Sequence, residues 1–406
     1  MGAGPAGLSA AYRVAESGRS VTVIDDNPDP GGQIWRGETK KPSSPEAAKW
    51  FEKIRASKIA FLNGARVYAL SESHRLLAER ANEVCEVEFQ SVVLATGARE
   101  RFIPFPGWTL PNVLGAGGLQ ALVKTGLPID GKRVVIAGSG PLLLAVADYL
   151  KRKGANILLI AEQASRASLA RFGLALIGQR GKATQALKLK RGLSGVRYLN
   201  GCWPSKVTGD EKLEKVTLQH GSRVFEVECD YLACGFHLVP NLELAQLLEC
   251  KIENGVVSVD EFQQTSAANV FCAGEATGIG GLELSLVEGE IAGLAASGRQ
   301  PIARTLFGER DKQRKFSQQL NRAFELRDEL KGLVQPETIV CRCEDVTFDS
   351  LTSSDSWRSA KLHTRCGMGP CQGRICGAAV EFLFAWKAES VRPPVFAVRV
   401  SSMAEE

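Results

Sequence analysis

A strand–glycine loop–helix pattern, which occurs twice about 135 residues apart, constrains the fold more than any other feature. In the first copy, residues 2–7 read GAGPAG, an apolar-periodic helix follows, and a buried strand at 21–24 ends at Asp25. Such glycines allow a tight turn, close approach to a pyrophosphate and close helix–strand packing, and the acid about 20 residues on binds a ribose hydroxyl. The free N–H groups and the dipole of the helix N-terminus favour the diphosphate. The first copy therefore predicts a dinucleotide-binding α/β domain.

The strand that should precede this loop is missing, because only Met1 stands before Gly2. That strand would normally be central in a parallel sheet, so its absence would expose ladder hydrogen bonds on both neighbours. We expect that the N-terminus is incomplete. In-frame coding sequence upstream of Met1 would support this expectation, and an upstream stop codon would oppose it.

The second copy spans residues 132–150, with Gly138 and Gly140 in the turn and Glu162 at the end of the next strand. Leu143 stands where the third glycine is expected, and a side chain there should push helix and strand apart. Two interpretations have equal weight: a nucleotide site, or a retained fold with a weak or altered ligand.

Composition excludes several classes of protein. A net charge of +5 over 406 residues is too small a bias to indicate nucleic acid. No apolar run approaches the roughly 18 residues that a membrane span needs, and the start does not read as a signal peptide. The 11 cysteines are odd in number, so a full disulfide framework is not expected, and we expect a cytoplasmic protein, with peripheral association with the inner membrane left open.

Three further segments resemble the flavoproteins related to thioredoxin reductase, which have two dinucleotide-binding domains. They are residues 31–33 (GGQ), 95–97 (ATG) and 270–275 (VFCAGE). The resemblance covers about residues 1–330 and implies an α/β fold with two Rossmann-like domains and FAD. Glu275 stands where the family usually has Asp, so we expect its contact with the flavin ribityl chain to be displaced or water-bridged. No cysteine precedes Cys85, which disfavours dithiol–disulfide chemistry beside the flavin.

The glycine motifs and this resemblance together supply the candidate cofactor-binding residues. They are Gly2, Gly4, Pro5, Ala6, Gly7, Asp25, Gly32, Gln33, Ala95, Thr96, Gly97, Gly274 and Glu275 for FAD, and Gly138, Gly140 and Glu162 for the second nucleotide. NAD(P), ATP and FMN are the alternatives for the second nucleotide site or a subunit interface. No catalytic residue is assigned, since no acid–base pair is placed for substrate chemistry.

Five of the cysteines crowd into residues 341–376, among glycines. Thiolates in such loops suit soft metals, and two pairs of cysteines fit tetrahedral zinc or a 2Fe–2S cluster. Structural zinc usually prefers Cys-x-x-Cys, and an attached flavin domain gives an electron carrier a role, so we favour iron–sulfur over zinc, with free thiols the remaining alternative. The tail resembles the bacterioferritin-associated-ferredoxin type of 2Fe–2S domain. That resemblance implies the ligands Cys341, Cys343, Cys371 and Cys376, with Cys366 as a spare thiol or as a replacement for one of the second pair.

The arrangement as a whole resembles the α subunit of the heteromeric, dye-linked amino-acid and opine dehydrogenases, whose relatives include L-proline, D-hydroxyproline and octopine/nopaline dehydrogenases and hydrogen cyanide synthase. It implies a D-amino-acid-oxidase-like flavoprotein β subunit that oxidises the amine, a small ferredoxin-like γ subunit, and an external electron acceptor. We expect an FAD domain at 1–110 and 236–330, an NAD(P)-binding-like domain at 111–235, a small helical 2Fe–2S domain at 336–390 and a tail at 391–406.

Three functions fit these patterns. The first is an electron-transferring FAD and 2Fe–2S subunit of a secondary-amine dehydrogenase. The second is a self-sufficient NAD(P)H-dependent reductase, which needs a working nicotinamide site at Gly138 and Gly140. The third is a non-catalytic scaffold with degenerate nucleotide sites.

Overall fold

The structure is a computed structural model that describes residues 1–42, 44–72, 75–81, 83–176, 180–388 and 391–403. The chain forms two compact units. Unit 1 comprises Met1–Arg99, Val239–Gln318 and Glu389–Glu406, and unit 2 comprises Glu100–Leu238 and Gln319–Ala388.

Strands and helices alternate along much of the described chain. The strands are β1 (Thr22–Asp25), β2 (Ala60–Asn63), β3 (Ala65–Glu72), β4 (Arg75–Arg80), β5 (Glu83–Glu88), β6 (Val92–Leu94), β7 (Ala98–Glu100), β8 (Val113–Gly115), β9 (Arg133–Ser139), β10 (Asn156–Glu162), β11 (Arg197–Asn200), β12 (Cys202–Thr208), β13 (Lys215–His220), β14 (Arg223–Glu228), β15 (Tyr231–Phe236), β16 (Leu238–Pro240), β17 (Ile252–Glu253), β18 (Val256–Val257), β19 (Val270–Cys272), β20 (Ile339–Cys341) and β21 (Val346–Thr347). The α-helices are α1 (Pro5–Glu16), α2 (Pro45–Arg55), α3 (Ala116–Lys124), α4 (Leu142–Arg152), α5 (Arg166–Leu176), α6 (Arg180–Gly192), α7 (Glu243–Leu247), α8 (Leu282–Ala296), α9 (Gln300–Arg304), α10 (Phe307–Ala323), α11 (Phe348–Thr352), α12 (Trp357–Thr364), α13 (Cys376–Phe384) and α14 (Val400–Met403). Two 3₁₀ helices span Gly274–Thr277 and Asp328–Leu333.

The first two residues of the chain lie between two parallel strand pairs of unit 1, β1–β2 and β6–β19. The Gly2 N–H donates to Ile24 O at 2.8 Å, and the Ala95 N–H donates to Met1 O at 2.8 Å. Met1 and Gly2 thus occupy the position at which the sequence pattern predicts the first strand.

Helix α1 packs tightly against helix α8 in unit 1. A Cβ at Gly289 would lie 2.1 Å from Ala6 O, and one at Gly293 would lie 2.3 Å from Ala10 O. The Ser9 hydroxyl also donates to Leu286 O at 2.9 Å. Two glycines four residues apart on α8 therefore fix the helix that carries the first glycine loop.

Unit 2 is built on a five-stranded parallel sheet in the order β11-β10-β9-β15-β8. Its central strands are buried along almost their whole length, as expected for a parallel sheet covered on both faces. The predicted second Rossmann-like fold is confirmed. Residues 224–234 do not form one strand: β14 belongs to an antiparallel sheet with β12 and β13, and β15 belongs to the parallel sheet. The chain turns at Asp230, whose carboxylate accepts the Arg133 N–H at 2.8 Å.

The charged stretch at residues 309–331 is not one continuous helix. Helix α10 stops at Ala323, and the chain is helical again only at Asp328–Leu333, as a 3₁₀ helix. The helix ends where Phe324 is buried, since Phe324 is only 5% exposed and is held by long-range contacts described below.

The cysteine-rich region belongs to unit 2 and consists of the β20–β21 hairpin and helices α11, α12 and α13. A core of its own, which includes Val340, Leu351 and Val380, holds these elements together. The predicted small helical C-terminal region is confirmed as a fold.

Residues 391–403 pack on unit 1. The Tyr68 hydroxyl donates to Ser402 O at 2.9 Å, and Arg399 pairs with Glu79 at 3.0 Å. None of the helices in the described ranges is long and apolar enough to cross a membrane.

Candidate cofactor sites

The first glycine loop lies in contact with the other candidate segments of unit 1. A Cβ at Gly32 would lie 2.8 Å from Gly4 Cα, and one at Gly274 would lie 2.9 Å from Ala6 Cβ. A Cβ at Gly2 would lie 2.2 Å from Ala95 O. The structure therefore brings the loop at 2–7, the GG segment, the ATG turn and the late motif together around the start of α1, where the N-cap is Gly4 and Pro5 is at the first helical position.

Asp25 lies at the end of β1 with its carboxylate turned towards this loop. It is 8% exposed and accepts the N–H groups of Ala3 and Asn27. This places an acid at the strand end that the ribose contact requires.

Gln33 and Arg36 follow the GG segment. The Arg36 guanidinium donates to Gln33 Oε1 at 3.2 Å and to Asn27 Oδ1 at 2.9 Å. Arg36 Nε is buried and has no hydrogen-bond partner within the part of the chain that the structure describes. Since an unmade buried hydrogen bond is costly, this donor fits an anionic or carbonyl group of a bound cofactor.

The ATG turn is held by Asn241, which the sequence analysis did not single out. Asn241 Nδ2 donates to Thr96 O at 2.8 Å, the Asn241 N–H donates to Gly97 O at 3.0 Å, and the Thr96 hydroxyl donates to Asn241 O at 2.7 Å. No local signal marks Asn241, because its partners are about 145 residues away in sequence.

Glu275 turns its carboxylate towards the start of helix α8. It accepts the N–H groups of Gly280 at 3.1 Å and Gly281 at 2.8 Å, and burial raises the pKa of the carboxyl to about 7. A second acid, Glu288, lies beneath the same turn and accepts the Gly274 N–H at 3.1 Å. Glu288 was not predicted as a site residue, because in the sequence it is only one polar residue within an otherwise apolar helix.

The second glycine loop in unit 2 is built differently. Glu162 is fully buried and accepts the N–H groups of Gly140 and Ala164, each at 2.8 Å. Burial raises the pKa of this carboxyl to about 7. Leu143 is also fully buried, and its side chain comes within 3.4 Å of the position of a Cβ on Gly235. A glycine on β15 thus provides the space that Leu143 uses in place of the missing third glycine.

Three of the tail cysteines form a compact cluster. The sulfur atoms of Cys341, Cys366 and Cys376 lie within 4.8 Å of one another, and all three residues are buried. Hydrogen bonds from Cys366 and Cys376 lower the pKa of the Cys341 thiol to about 2. A stabilised thiolate is the form that ligates metals.

The other two tail cysteines pair with each other. The Cys343 thiol is hydrogen-bonded to the Cys371 thiol, although burial is the largest cause of the raised pKa of Cys343. Glycine allows this approach, since a Cβ at Gly369 would lie 2.4 Å from Cys343 Cβ.

A cavity of about 150 Å³ lies beside these thiols in unit 2. The cysteines that line it are Cys341, Cys343, Cys371 and Cys376. The opposite wall includes Phe102 and Trp108, and the Trp108 indole N–H donates to Ile339 O at 2.6 Å, two residues before Cys341. A cavity of about this volume holds a ligand of roughly the size of benzene. Four thiol groups and this volume suit a small metal cluster.

Residues 1–301 match the family model described as pyridine nucleotide-disulphide oxidoreductase. The chain belongs to this family. It is accordingly an FAD-dependent oxidoreductase, and the family implies the binding of FAD and NAD(P).

Within the pyridine nucleotide-disulphide oxidoreductases, the chain is homologous to subunits of heteromeric enzymes. It is 32% identical to a subunit of the opine oxidase of Rhizobium meliloti (strain 1021), over 100% of this chain and 97% of that protein. It is 29% identical to hydrogen cyanide synthase subunit HcnB of Pseudomonas aeruginosa, over 93% and 90%. The L-proline dehydrogenase from P. horikoshii has a similar fold, with a TM-score of 0.70 and 20% identity over 99% of this chain and 78% of that one.

The two glycine loops differ in how well they fit the cofactors of the pyridine nucleotide-disulphide oxidoreductases. The first loop fits FAD, because Gly4 is partly exposed at the helix N-cap and Arg36 Nε supplies a free donor nearby. The second loop does not fit NAD(P) in this way, because Gly140 is buried and its N–H is bonded to Glu162.

Proposed function

We propose that this chain is the electron-transferring FAD and 2Fe–2S subunit of a heteromeric amino-acid or opine dehydrogenase. Electrons would reach it from the flavin of a partner subunit and leave to an external acceptor. The observation that carries the proposal is the cavity lined by four cysteines, since it adds a metal-cluster site to a chain whose other unit has the residues of an FAD site.

Three segments of the cysteine-rich region supply the cysteines that line the cavity. Cys341 and Cys343 come from the β20–β21 hairpin, Cys371 from the glycine-rich loop and Cys376 from the start of α13. Cys366 is close to Cys341 and Cys376 but is not among the residues that line the cavity. We therefore assign the four lining cysteines as ligands and Cys366 as a neighbouring thiol.

Bound FAD and a 2Fe–2S cluster would together supply the conversion between two-electron hydride chemistry and one-electron transfer. Residues of the chain would hold FAD: the first glycine loop and the N-terminus of α1 would bind the diphosphate, Asp25 would bind the ribose, and Arg36 would supply a hydrogen-bond donor. Phe102 and Trp108 contribute apolar surface to the lining of the cysteine cavity.

On this proposal, the partner subunit oxidises the substrate. A secondary amine R–NH–CHR′R″ would lose a hydride from carbon to the partner's flavin and a proton from nitrogen, which gives the imine R–N=CR′R″. A D-amino-acid-oxidase-like β subunit fits this role, a small ferredoxin-like γ subunit fits as a third chain, and ATP or FMN fits at a subunit interface. Two curated relatives support a heteromeric assembly, because their names describe them as subunits.

Anaerobic purification followed by iron and acid-labile sulfide analysis tests the metal part of this proposal. We expect about two iron and two sulfide ions per chain. Cys→Ser variants at the four lining positions should lose them, whereas the matched control Cys366→Ser should retain them. Loss of the metal in Cys366→Ser with retention in Cys371→Ser or Cys376→Ser would overturn the ligand assignment, and zinc in place of iron would overturn the relay function.

A further inference from the structure

A segment of the chain itself, Phe324 to Arg327, lies against the second glycine loop of unit 2. The Ser139 hydroxyl, in the middle of that loop, donates to Phe324 O at 2.8 Å. The Phe324 ring lies about 4.0 Å from the position that a Cβ on Gly140 would take, and it packs edge-on against Phe172. The aromatic ring thus covers the glycine over which a nucleotide diphosphate would pass.

Gln163 fixes the same segment through both ends of its amide. Its Nε2 donates to Ser139 Oγ at 2.9 Å and to Glu325 O at 3.1 Å, and its Oε1 accepts the Arg327 N–H at 3.3 Å. Gln163 is fully buried and directly follows Glu162, so it stands at the strand end where a ribose would bind. A polar side chain that is buried and fully hydrogen-bonded has no capacity left for a ligand.

The segment is also anchored on its C-terminal side. The Arg327 guanidinium lies 5.1 Å from the centre of the Trp203 ring. Leu330 and Leu333, in the 3₁₀ helix that follows, are buried in the same core as Trp203. Removing the segment would expose these apolar side chains to water, which is unfavourable. The contact therefore belongs to the folded core of unit 2.

A bound dinucleotide needs three things from a Rossmann turn: free backbone N–H groups, an acid that reaches the ribose, and space above the second glycine. In the second turn, Glu162 takes the Gly140 N–H, so neither group is free. Phe324 takes the space above Gly140. In the first turn, by contrast, Gly4 is partly exposed, whereas Gly140 in the second turn is buried.

We infer that the second dinucleotide fold is closed by the segment Phe324 to Arg327 and takes neither NAD(P)H nor another dinucleotide. The fold is retained for its sheet and for the wall that it gives to the cysteine cavity, through Val113, Leu114 and Gly115. The closing segment is followed by the 3₁₀ helix Asp328–Leu333 and then by β20 with Cys341, so one connection both closes the loop and leads to the first cysteine. This inference is independent of the relay function proposed above.

Photolabelling of the FAD-loaded chain with an azido-adenine analogue of NAD, followed by peptide mapping, tests the inference. We expect no saturable labelling of peptides that contain residues 138–141 or 162–164 and no competition there by NADH or NADPH. Saturable labelling of either peptide that NADH displaces would overturn the closure. A chain that lacks iron but shows no labelling would leave the closure standing and would contradict only the relay function.

Hydrogen exchange gives a second, positive readout. The backbone amide of Arg327 donates to Gln163 Oε1. Replacement Gln163→Ala should therefore raise the hydrogen-exchange rate of the Arg327 amide by about tenfold or more through local opening. The matched control is Gln219→Ala, in the same unit, whose amide donates to Gly221 O at 3.4 Å, and it should leave the Arg327 rate unchanged. Fast exchange of residues 324–327 in the wild-type chain, or slowing of the Gly140 amide on addition of NADH, would contradict the inference.

Discussion

Glu288 and Arg314 form a buried ion pair beneath the late flavin motif. The Arg314 guanidinium donates to Glu288 Oε1 from two nitrogens, at 2.7 and 3.0 Å, and Glu288 is 1% exposed. The other oxygen of the same carboxylate accepts the Gly274 N–H and the Thr277 hydroxyl. The pair therefore fixes the turn that meets the first glycine loop.

Replacement of Arg314 by Met should destabilise unit 1 and weaken FAD binding. Breaking a buried pair costs about 3–5 kcal/mol, and since the Arg314 side chain is 33% exposed we expect about 2–3 kcal/mol of unfolding free energy. Urea unfolding and flavin-fluorescence titration measure the two effects. Lys315→Met, at the adjacent position, is the matched control and should change neither. Equal losses in the two variants would show that the pair does not hold the turn.

Replacement of Gly369 by Ala should empty the cysteine cavity of its metal. The new Cβ would lie 2.4 Å from Cys343 Cβ, so the two segments that carry Cys343 and Cys371 would have to separate. Iron content per purified chain is the measurement, with loss of most of the iron expected. Gly377→Ala is the control, because a Cβ there meets nothing within 4 Å although Gly377 adjoins Cys376. Full iron content in Gly369→Ala would contradict the packing argument.

Replacement of Gly289 by Ala should loosen α8 from α1. The Cβ would lie 2.1 Å from Ala6 O, and overpacking of this kind costs about 1–3 kcal/mol. We expect a lower midpoint of thermal unfolding and a weaker hold on FAD. Gly308→Ala, on the open face of α10, should be neutral or stabilising by up to about 1 kcal/mol. If both variants behave alike, close approach of the helices is not the reason for Gly289.

Glu162 should make stability fall as pH rises from about 4.5 to 7. Its folded pKa of about 7 exceeds the ordinary value of 4.5, so in this window the folded state binds more protons than the unfolded one. The effect approaches about 3 kcal/mol above pH 7. Glu162→Gln should therefore gain stability relative to wild type between pH 5 and pH 8, whereas the exposed control Glu211→Gln should not. A stability difference between Glu162→Gln and wild type that stays constant over this range would refute the raised pKa.

The sequence was sufficient for the features that depend on local patterns. Helix α8, at Leu282–Ala296, has such a pattern, because an apolar run follows the glycine-rich residues 278–281. The two glycine motifs located both nucleotide folds, and cysteine spacing located the region around the cavity. Each of these signals lies within a few tens of residues, so periodicity and turn chemistry are enough to read it.

Long-range contacts account for what the sequence could not reveal. Phe324 and Ser139 are 185 residues apart, and a helical charge pattern gave no reason to end α10 before Phe324. Asn241 and Glu288 form hydrogen bonds with residues in other segments. The sequence around a single polar residue does not indicate which distant residue it will contact. The position of Cys366 close to two assigned ligands is likewise a result of folding, since the resemblance left Cys366 either as a spare thiol or as a replacement for one of the second pair.

The central claim, that this chain relays electrons from a partner flavin, is tested most directly by anaerobic stopped-flow reduction of the FAD- and iron-loaded chain. One arm adds NADH alone, and the other adds the D-amino-acid-oxidase-like partner with its amine substrate. Flavin bleaching and the electron paramagnetic resonance signal of a reduced iron–sulfur centre are followed in both. The account predicts reduction of both groups in the partner arm and none on the same timescale with NADH. Rapid reduction by NADH alone, or no reduction in the presence of the partner and substrate, would contradict it.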